Sequence, residues 1–281
     1  MVDEPQQDCH RLGKRELGRH AFENRMPDRI ASILAAEDTS NDLAGVIPKL
    51  AQLLQSDRDV EVAYMCTDSA VQVSKYPDEG AHFCGYRNMQ MMLLSFRWVG
   101  PGLSHQRKLT VPQLQDLIED AWDRGYNAHG RVQTGGIKDT RKHVGTSEAE
   151  AVLLSLDVPC TGTAFIGKEA WRELFDFVEG FYSQSLTADM KVRRSMHQTN
   201  RPPIFLQRPN HSLTVVGIEK TKSGKRRLLT FDPAWQPPSA MREPLPKEGL
   251  SRWSARQLLG RYRKSERYLK RYKQFETLIV D

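Results

Sequence analysis

The chain has 281 residues and a formal net charge of +6, with 39% apolar and 27% charged side chains. That length suits one large domain or two small ones, and the composition is that of a soluble globular protein, not of a fibre or a disordered tail. There is no apolar run of about eighteen residues and no signal peptide, so the expectation is a chain that neither spans a membrane nor enters the secretory route.

Residues 1–40 are polar and mixed in charge and read as a flexible N-terminal arm, with room for a short helix at Asp28–Ala36. Residues 41–281 read as a single domain. Ala44–Gln55 has helical periodicity and Val60–Tyr64 has the pattern of a short strand. Asp68–Gly80 is an irregular lead-in to a helix that opens at Cys84 and runs towards Gly100-Pro101-Gly102. Val111–Trp122 places Leu114, Leu117, Ile118 and Trp122 on one helical face. Gly125–Arg141 is glycine-rich and polar and reads as a loop. Ser147–Leu156 reads as a helix capped by Ser147 or Thr146. Val158–Phe165, Pro202–Gln207, Ser212–Glu219, Arg226–Phe231 and Phe275–Val280 read as strands. Ala170–Tyr182 and the basic stretch from Ser254 to Lys264 read as helices. Helices come first and a mostly antiparallel sheet follows, which predicts an α+β fold.

Four cysteines (Cys9, Cys66, Cys84 and Cys160) are scattered, with no Cys-x-x-Cys. That argues against a disulfide framework or a structural zinc site and for a reducing compartment, cytoplasmic or nuclear. A monomer without cofactor or metal is the expectation. Much of the positive charge collects in Arg261–Lys264 and Arg267–Lys273. These runs read as a solvated helix face. The interleaved Tyr262, Tyr268 and Tyr272 leave nucleic-acid binding as a minor reading.

Cys84 opens the segment Cys84-Gly85-Tyr86-Arg87-Asn88-Met89-Gln90-Met91, ahead of a helical apolar pattern. A thiol there sits at the positive end of a helix dipole, which favours the nucleophilic thiolate. His211 begins the strand Ser212–Glu219, and Asp232 ends the strand Arg227–Phe231. Joined as a hairpin through Lys222-Ser223-Gly224, with Glu219 opposite Arg226, these strands bring His211 almost opposite Asp232. A carboxylate there can orient an imidazole that takes the thiol proton. Papain-like proteases share this order of cysteine on a helix, then histidine and acid. Each residue also has a plainer reading: a buried helix-capping cysteine, a structural histidine and an Asp-Pro turn. His82, two residues before Cys84, is a competing base in an exposed setting.

Several boxes together resemble peptidase family C78. They are Cys84–Met91, Ile118–Trp122, Val144–Glu150, Pro203–Gln207, His211–Glu219 and Leu228–Pro233. The resemblance implies a papain-like cysteine protease fold, with N-terminal helices packed on the sheet. It also implies a thiol isopeptidase acting on ubiquitin or a ubiquitin-like modifier. Carried over by position, Cys84 is the nucleophile, His211 the general base and acid, and Asp232 the orienting residue. Gln72 is the oxyanion-stabilising side chain and Glu148 an acid that binds the arginine-bearing tail of the modifier. One branch of the family carries its histidine in Asp-Pro-His. Here Asp232-Pro233 is followed by Ala234-Trp235, so the pattern resembles the ubiquitin-directed branch. The expected partners are therefore ubiquitin or polyubiquitin chains. The alternatives are the ubiquitin-fold modifier and a non-catalytic ubiquitin-binding module. The family usually has Gly-Trp-Gly before the nucleophile; this chain has Ala81-His82-Phe83. Zinc fingers and ubiquitin-binding helices of the long members have no counterpart here, so the chain resembles the catalytic domain alone.

Overall fold

The computed structural model describes residues 12–95, 108–184, 195–246 and 250–281. Helices α1 (Lys14–Leu17) and α2 (Asp28–Ala35) are followed by β1 (Asp42–Leu43), α3 (Val46–Ser56), β2 (Val60–Met65) and β3 (Gln72–Val73). Next come α4 (Cys84–Ser95), α5 (Val111–Asp123), α6 (His129–Thr134) and α7 (Thr146–Ser155), then β4 (Cys160–Ile166) and α8 (Ala170–Ser183). The remainder is β5 (Met196–Gln198), β6 (Ile204–Arg208), β7 (His211–Thr221), β8 (Arg226–Phe231), α9 (Arg252–Tyr262), β9 (Arg263–Ser265), α10 (Glu266–Leu269) and β10 (Gln274–Val280).

The main sheet runs β4-β10-β6-β7-β2-β5, with β8 paired to β7 and β9 to β8. Every pairing in it is antiparallel except β2 with β5. The fold is α+β, as the order of elements predicts. Two apolar clusters flank the sheet. One contains α3, α8 and α9 through Leu50, Phe175 and Leu259; the other contains α4, α5 and α7 through Met89, Ile118 and Val152. On β6, Ile204 and Leu206 join the first cluster and Phe205 the second. Successive side chains of a strand point to opposite faces, so one strand serves both cores. Each such side chain stabilises the fold by about 1.5–3 kcal/mol.

The stretch expected as an arm is fixed from residue 12 onward. Its apolar positions Leu17, Ala21, Met26 and Leu34 are buried, and Met26 and Leu34 join the second cluster. Met26 N–H donates to the Asp139 carbonyl at 2.6 Å, and Glu23 accepts the Arg141 backbone N–H at 2.7 Å. The sparse apolar residues look isolated in a polar sequence, yet Met26 and Leu34 pack on the α4–α7 side of the body. Residues 1–11 lie outside the described residues, as does the stretch after Ser95 over which the Cys84 helix was expected to run towards Gly100-Pro101-Gly102.

Other differences are local. The predicted loop 125–141 contains α6. There Gly130 admits the Trp122 ring, which would stand 2.7 Å from a Cβ at that position. The N-cap of α7 is Gly145 instead of Ser147 or Thr146, and the Glu148 carboxylate accepts the Gly145 N–H at 2.7 Å. The basic helix stops at Tyr262, and its charges continue as β9. The Arg263 side chain donates to Asp57 at 2.9 Å and to Glu219 at 2.7 Å, which holds this segment extended beside β8.

Candidate active site

Cys84 is the first residue of α4, with Phe83 supplying the carbonyl that accepts the Arg87 N–H at 3.0 Å. The first backbone N–H groups of a helix have no intrahelical acceptor, so they surround the sulfur with positive potential. Gly85 is what lets another chain segment approach here. A Cβ on Gly85 would stand 2.2 Å from the Val144 carbonyl oxygen, so only glycine admits that backbone beside the first turn.

Across the site, His211 begins β7. Its Nε2 lies 2.8 Å from Asp232 Oδ1, just past the end of β8. The strands do not meet in the register expected from the turn. Glu219 pairs with Arg227, and a bulge between Val215 and Gly217 brings Thr214 opposite Phe231. His211 and Asp232 lie beyond that last pair and meet through their side chains. With Nε2 committed to Asp232, Nδ1 remains for the Cys84 thiol, which lines the same cavity. These residues line an open cavity of about 400 Å³ together with Arg208, Lys264 and Tyr268.

The electrostatics suit a thiolate–imidazolium pair. Burial disfavours ionisation of Cys84, but hydrogen bonds from His211 and Ser212 and the imidazolium charge hold its pKa below the ordinary thiol value. Burial likewise disfavours protonation of His211, yet Asp232 and Cys84 raise it to about 9. Asp232 stays ionised well below the carboxylate range, because the His211 hydrogen bond and charge, with Lys264, outweigh its burial. Such a thiolate can attack a carbonyl carbon while the imidazolium protonates the leaving group.

Residues 59–278 match the model of peptidase family C78. The chain belongs to that family. Zinc finger-containing ubiquitin peptidase 1 of Mus musculus is 32% identical over 272 residues, which cover 92% of this chain and 45% of that protein. Ubiquitin carboxyl-terminal hydrolase mug105 of Schizosaccharomyces pombe is 27% identical over 157 residues, covering 53% of this chain and 59% of its own length. The peptidase thus spans about half the length of the curated relatives it matches. The crystal structure of UfSP from C. elegans aligns with a TM-score of 0.47 at 13% identity, over 83% of this chain and 36% of that one.

The other sequence candidates of this C78 peptidase fall outside the cavity. Gln72 lies in β3, wholly buried, with its Oε1 accepting from Tyr262 Oη at 3.2 Å; it does not line the cavity. Glu148 serves the α7 N-terminus, and burial raises its pKa against the Gly145 hydrogen bond. Its box nonetheless runs beside the catalytic helix, through the Val144–Gly85 approach. His82 packs edge-on to His20, with ring centroids 4.4 Å apart, and stacks on His143 at 5.8 Å. Burial and its two imidazole neighbours lower its pKa to about 4, and it does not line the cavity, so it is no rival to His211.

Three site residues escape sequence reasoning. Asn88, wholly buried, donates from Nδ2 to the Cys84 carbonyl at 2.7 Å and to Ser212 Oγ at 2.9 Å. It ties the helix of Cys84 to the strand of His211, and its place one turn after Cys84 is the signal that would have found it. Ser212 follows His211 directly. Lys264 Nζ lies 3.1 Å from Asp232 Oδ2 and 5.1 Å from the Tyr268 ring. Nothing in a run of basic residues distinguishes it from its neighbours.

Proposed function

We propose that this peptidase is a deubiquitinase: a thiol isopeptidase that hydrolyses the bond at the C-terminal glycine of ubiquitin in conjugates or chains. The observation that carries the chemistry is the 2.8 Å His211–Asp232 pair facing Cys84 at a helix N-terminus. The choice of ubiquitin is supported by the names of the relatives, both of which include ubiquitin. It is supported too by a base on β7 instead of directly after Asp232-Pro233.

The Cys84 thiolate attacks the glycine carbonyl, and the developing oxyanion lies against the free N–H groups at the start of α4. His211 passes its proton to the leaving lysine amine as the C–N bond breaks, which leaves a thioester. A water then gives its proton to His211 while its oxygen attacks the thioester. The C–S bond breaks, and the thiolate–imidazolium pair returns. Asp232 keeps Nδ1 aimed at the sulfur throughout.

The test is labelling with C-terminal electrophilic probes of ubiquitin and of the ubiquitin-fold modifier, with Cys84→Ala as control. A Cys84-dependent adduct with ubiquitin is expected. An adduct with the other modifier alone would overturn the choice of substrate. No adduct with either would overturn the isopeptidase reading.

A further inference from the structure

Among the described residues, two cations in the wall of the active-site cavity have no carboxylate partner. They are Lys75 and Arg208, which line the cavity with Cys84 and His211. The wall's other arginine and lysine are paired, Arg87 with Glu79 and Lys264 with Asp232. The partners of Arg208 are neutral. Its Nε donates to Tyr268 Oη at 2.8 Å, its Nη1 donates to the Pro209 carbonyl at 2.8 Å, and the guanidinium lies 4.5 Å from the centre of the Tyr272 ring. Both residues are fixed beside the His211–Asp232 pair. Arg208 is directly opposite His211 in the β6–β7 pairing, so their side chains share a face of the sheet. The Lys75 N–H donates at 2.9 Å to the carbonyl of Pro233, next to Asp232, and the Lys75 carbonyl accepts from Gln236 at 2.7 Å. Two unpaired cations on one wall of a cavity draw negative charge into it.

The reaction itself decides which half of a substrate meets that wall. The carbonyl of the acyl half lies against the N–H groups at the start of α4, while the leaving amine receives its proton from His211. The half that carries the amine therefore approaches along the His211 side, past Arg208 and Lys75. On the isopeptidase reading, we propose that Arg208 and Lys75 determine specificity for the leaving half: they bind a carboxylate near the acceptor lysine, so that conjugates on acidic segments are cleaved in preference. The partner is the Asp- or Glu-bearing stretch of a modified protein. The aromatic ring and the neutral hydroxyl beside Arg208 orient its guanidinium without neutralising it, and its planar fork suits a carboxylate.

The test is a set of ubiquitin conjugates, each joined through an isopeptide bond to the lysine of a short fluorescent peptide whose flanking residues are Glu, Gln or Lys. With the wild type, kcat/KM should be about fivefold higher for the Glu peptide than for the Gln peptide, the upper scale of a partly exposed ion pair, and lowest for the Lys peptide. The preference should shrink as salt is raised, because such pairs are screened. Lys75→Gln and Arg208→Gln should each lower it, and Lys75→Glu combined with Arg208→Glu should reverse the order of the Glu and Lys peptides. If the Arg208 variants do not fold, Lys75→Glu alone, in the loop between β3 and α4, should still reduce the ratio of Glu to Lys. Equal wild-type rates on all the peptides would overturn this inference alone, as would variants that slow every peptide alike. Competition by single-stranded DNA, with no effect of peptide charge, would assign the cations to a nucleic acid and overturn it as well. No cleavage of any conjugate, a fluorogenic ubiquitin amide included, would overturn the deubiquitinase reading and this inference with it.

Discussion

Lys264 Nζ lies 3.1 Å from Asp232 Oδ2, while His211 Nε2 holds Oδ1 of the same carboxylate at 2.8 Å. The Asp232 carboxylate is shared between two cationic side chains, and both sit in the cavity wall. Lys264 therefore draws on the carboxylate charge that would otherwise act on His211 alone. Replacing it by methionine removes that competition and keeps the stem packed against Tyr268. In Lys264→Met, the alkaline limb of the activity profile should move up by about one pH unit, and turnover should fall as the imidazolium yields its proton less readily. A profile identical to wild type would mean that the ammonium does not act on the pair.

Cys84→Ala should abolish turnover while leaving the protein folded. His211→Ala should lower kcat by about two to four orders of magnitude, the usual scale for a general acid–base group. Asp232→Ala should lose less, since orientation is a smaller role than proton transfer. Steady-state hydrolysis of a fluorogenic ubiquitin C-terminal amide measures all three. Equal activity of His211→Ala and wild type would remove the base assignment.

The pH behaviour follows from the directions of the shifts. The thiolate–imidazolium pair exists above the lowered pKa of Cys84 and below about 9, where His211 loses its proton. Probe labelling should be bell-shaped, with its alkaline limb near pH 9. Stability has a different window. His211 is raised above its ordinary 6.5, so its contribution is complete below pH 6.5 and lost as pH rises through about 9. Asp232 is lowered from its ordinary 3.8, so its contribution is complete above that value and lost only in stronger acid. The pair thus stabilises the fold fully between pH 3.8 and 6.5. Denaturant midpoints of wild type and His211→Ala should differ most in that interval and converge above pH 9.

Long elements with a clear period were legible in the chain. The apolar face of α5 appears in the order Leu114, Ile118, Trp122, and its Thr110–Gln113 capping box marks the start. The candidate site was legible where reactive residue types stand at element ends: Cys84 before a helix, His211 and Asp232 at the margins of two strands, which the fold brings to one cavity. Elements held by partners distant in the chain were not. β5 is three residues long and pairs in parallel with β2, whose matching pattern lies some 130 positions earlier. The break between α9 and β9 depends on Asp57 and Glu219, both remote from Arg263. Lys264 enters the site only because of that break.

Arg87 in the catalytic helix tests how much the cysteine's position depends on buried charge. Its guanidinium is fully buried and pairs with Glu37 at 2.6 Å and with Glu79, while Nη1 donates to Gln90 at 2.9 Å. Glu37 and Glu79 are themselves buried and come from the loops before β1 and α4. In Arg87→Met the two carboxylates would be left facing each other in a dry site with no cation. Breaking a buried pair in this way costs about 3–5 kcal/mol, far more than an exposed pair is worth. Urea unfolding should show the unfolding free energy falling by that amount, through a lower midpoint at an unchanged slope. Adding Glu37→Gln and Glu79→Gln to Arg87→Met should recover most of the loss, because neutral amides can share hydrogen bonds where two carboxylates repel. A triple variant no more stable than Arg87→Met would mean that the guanidinium acts through packing and not through charge.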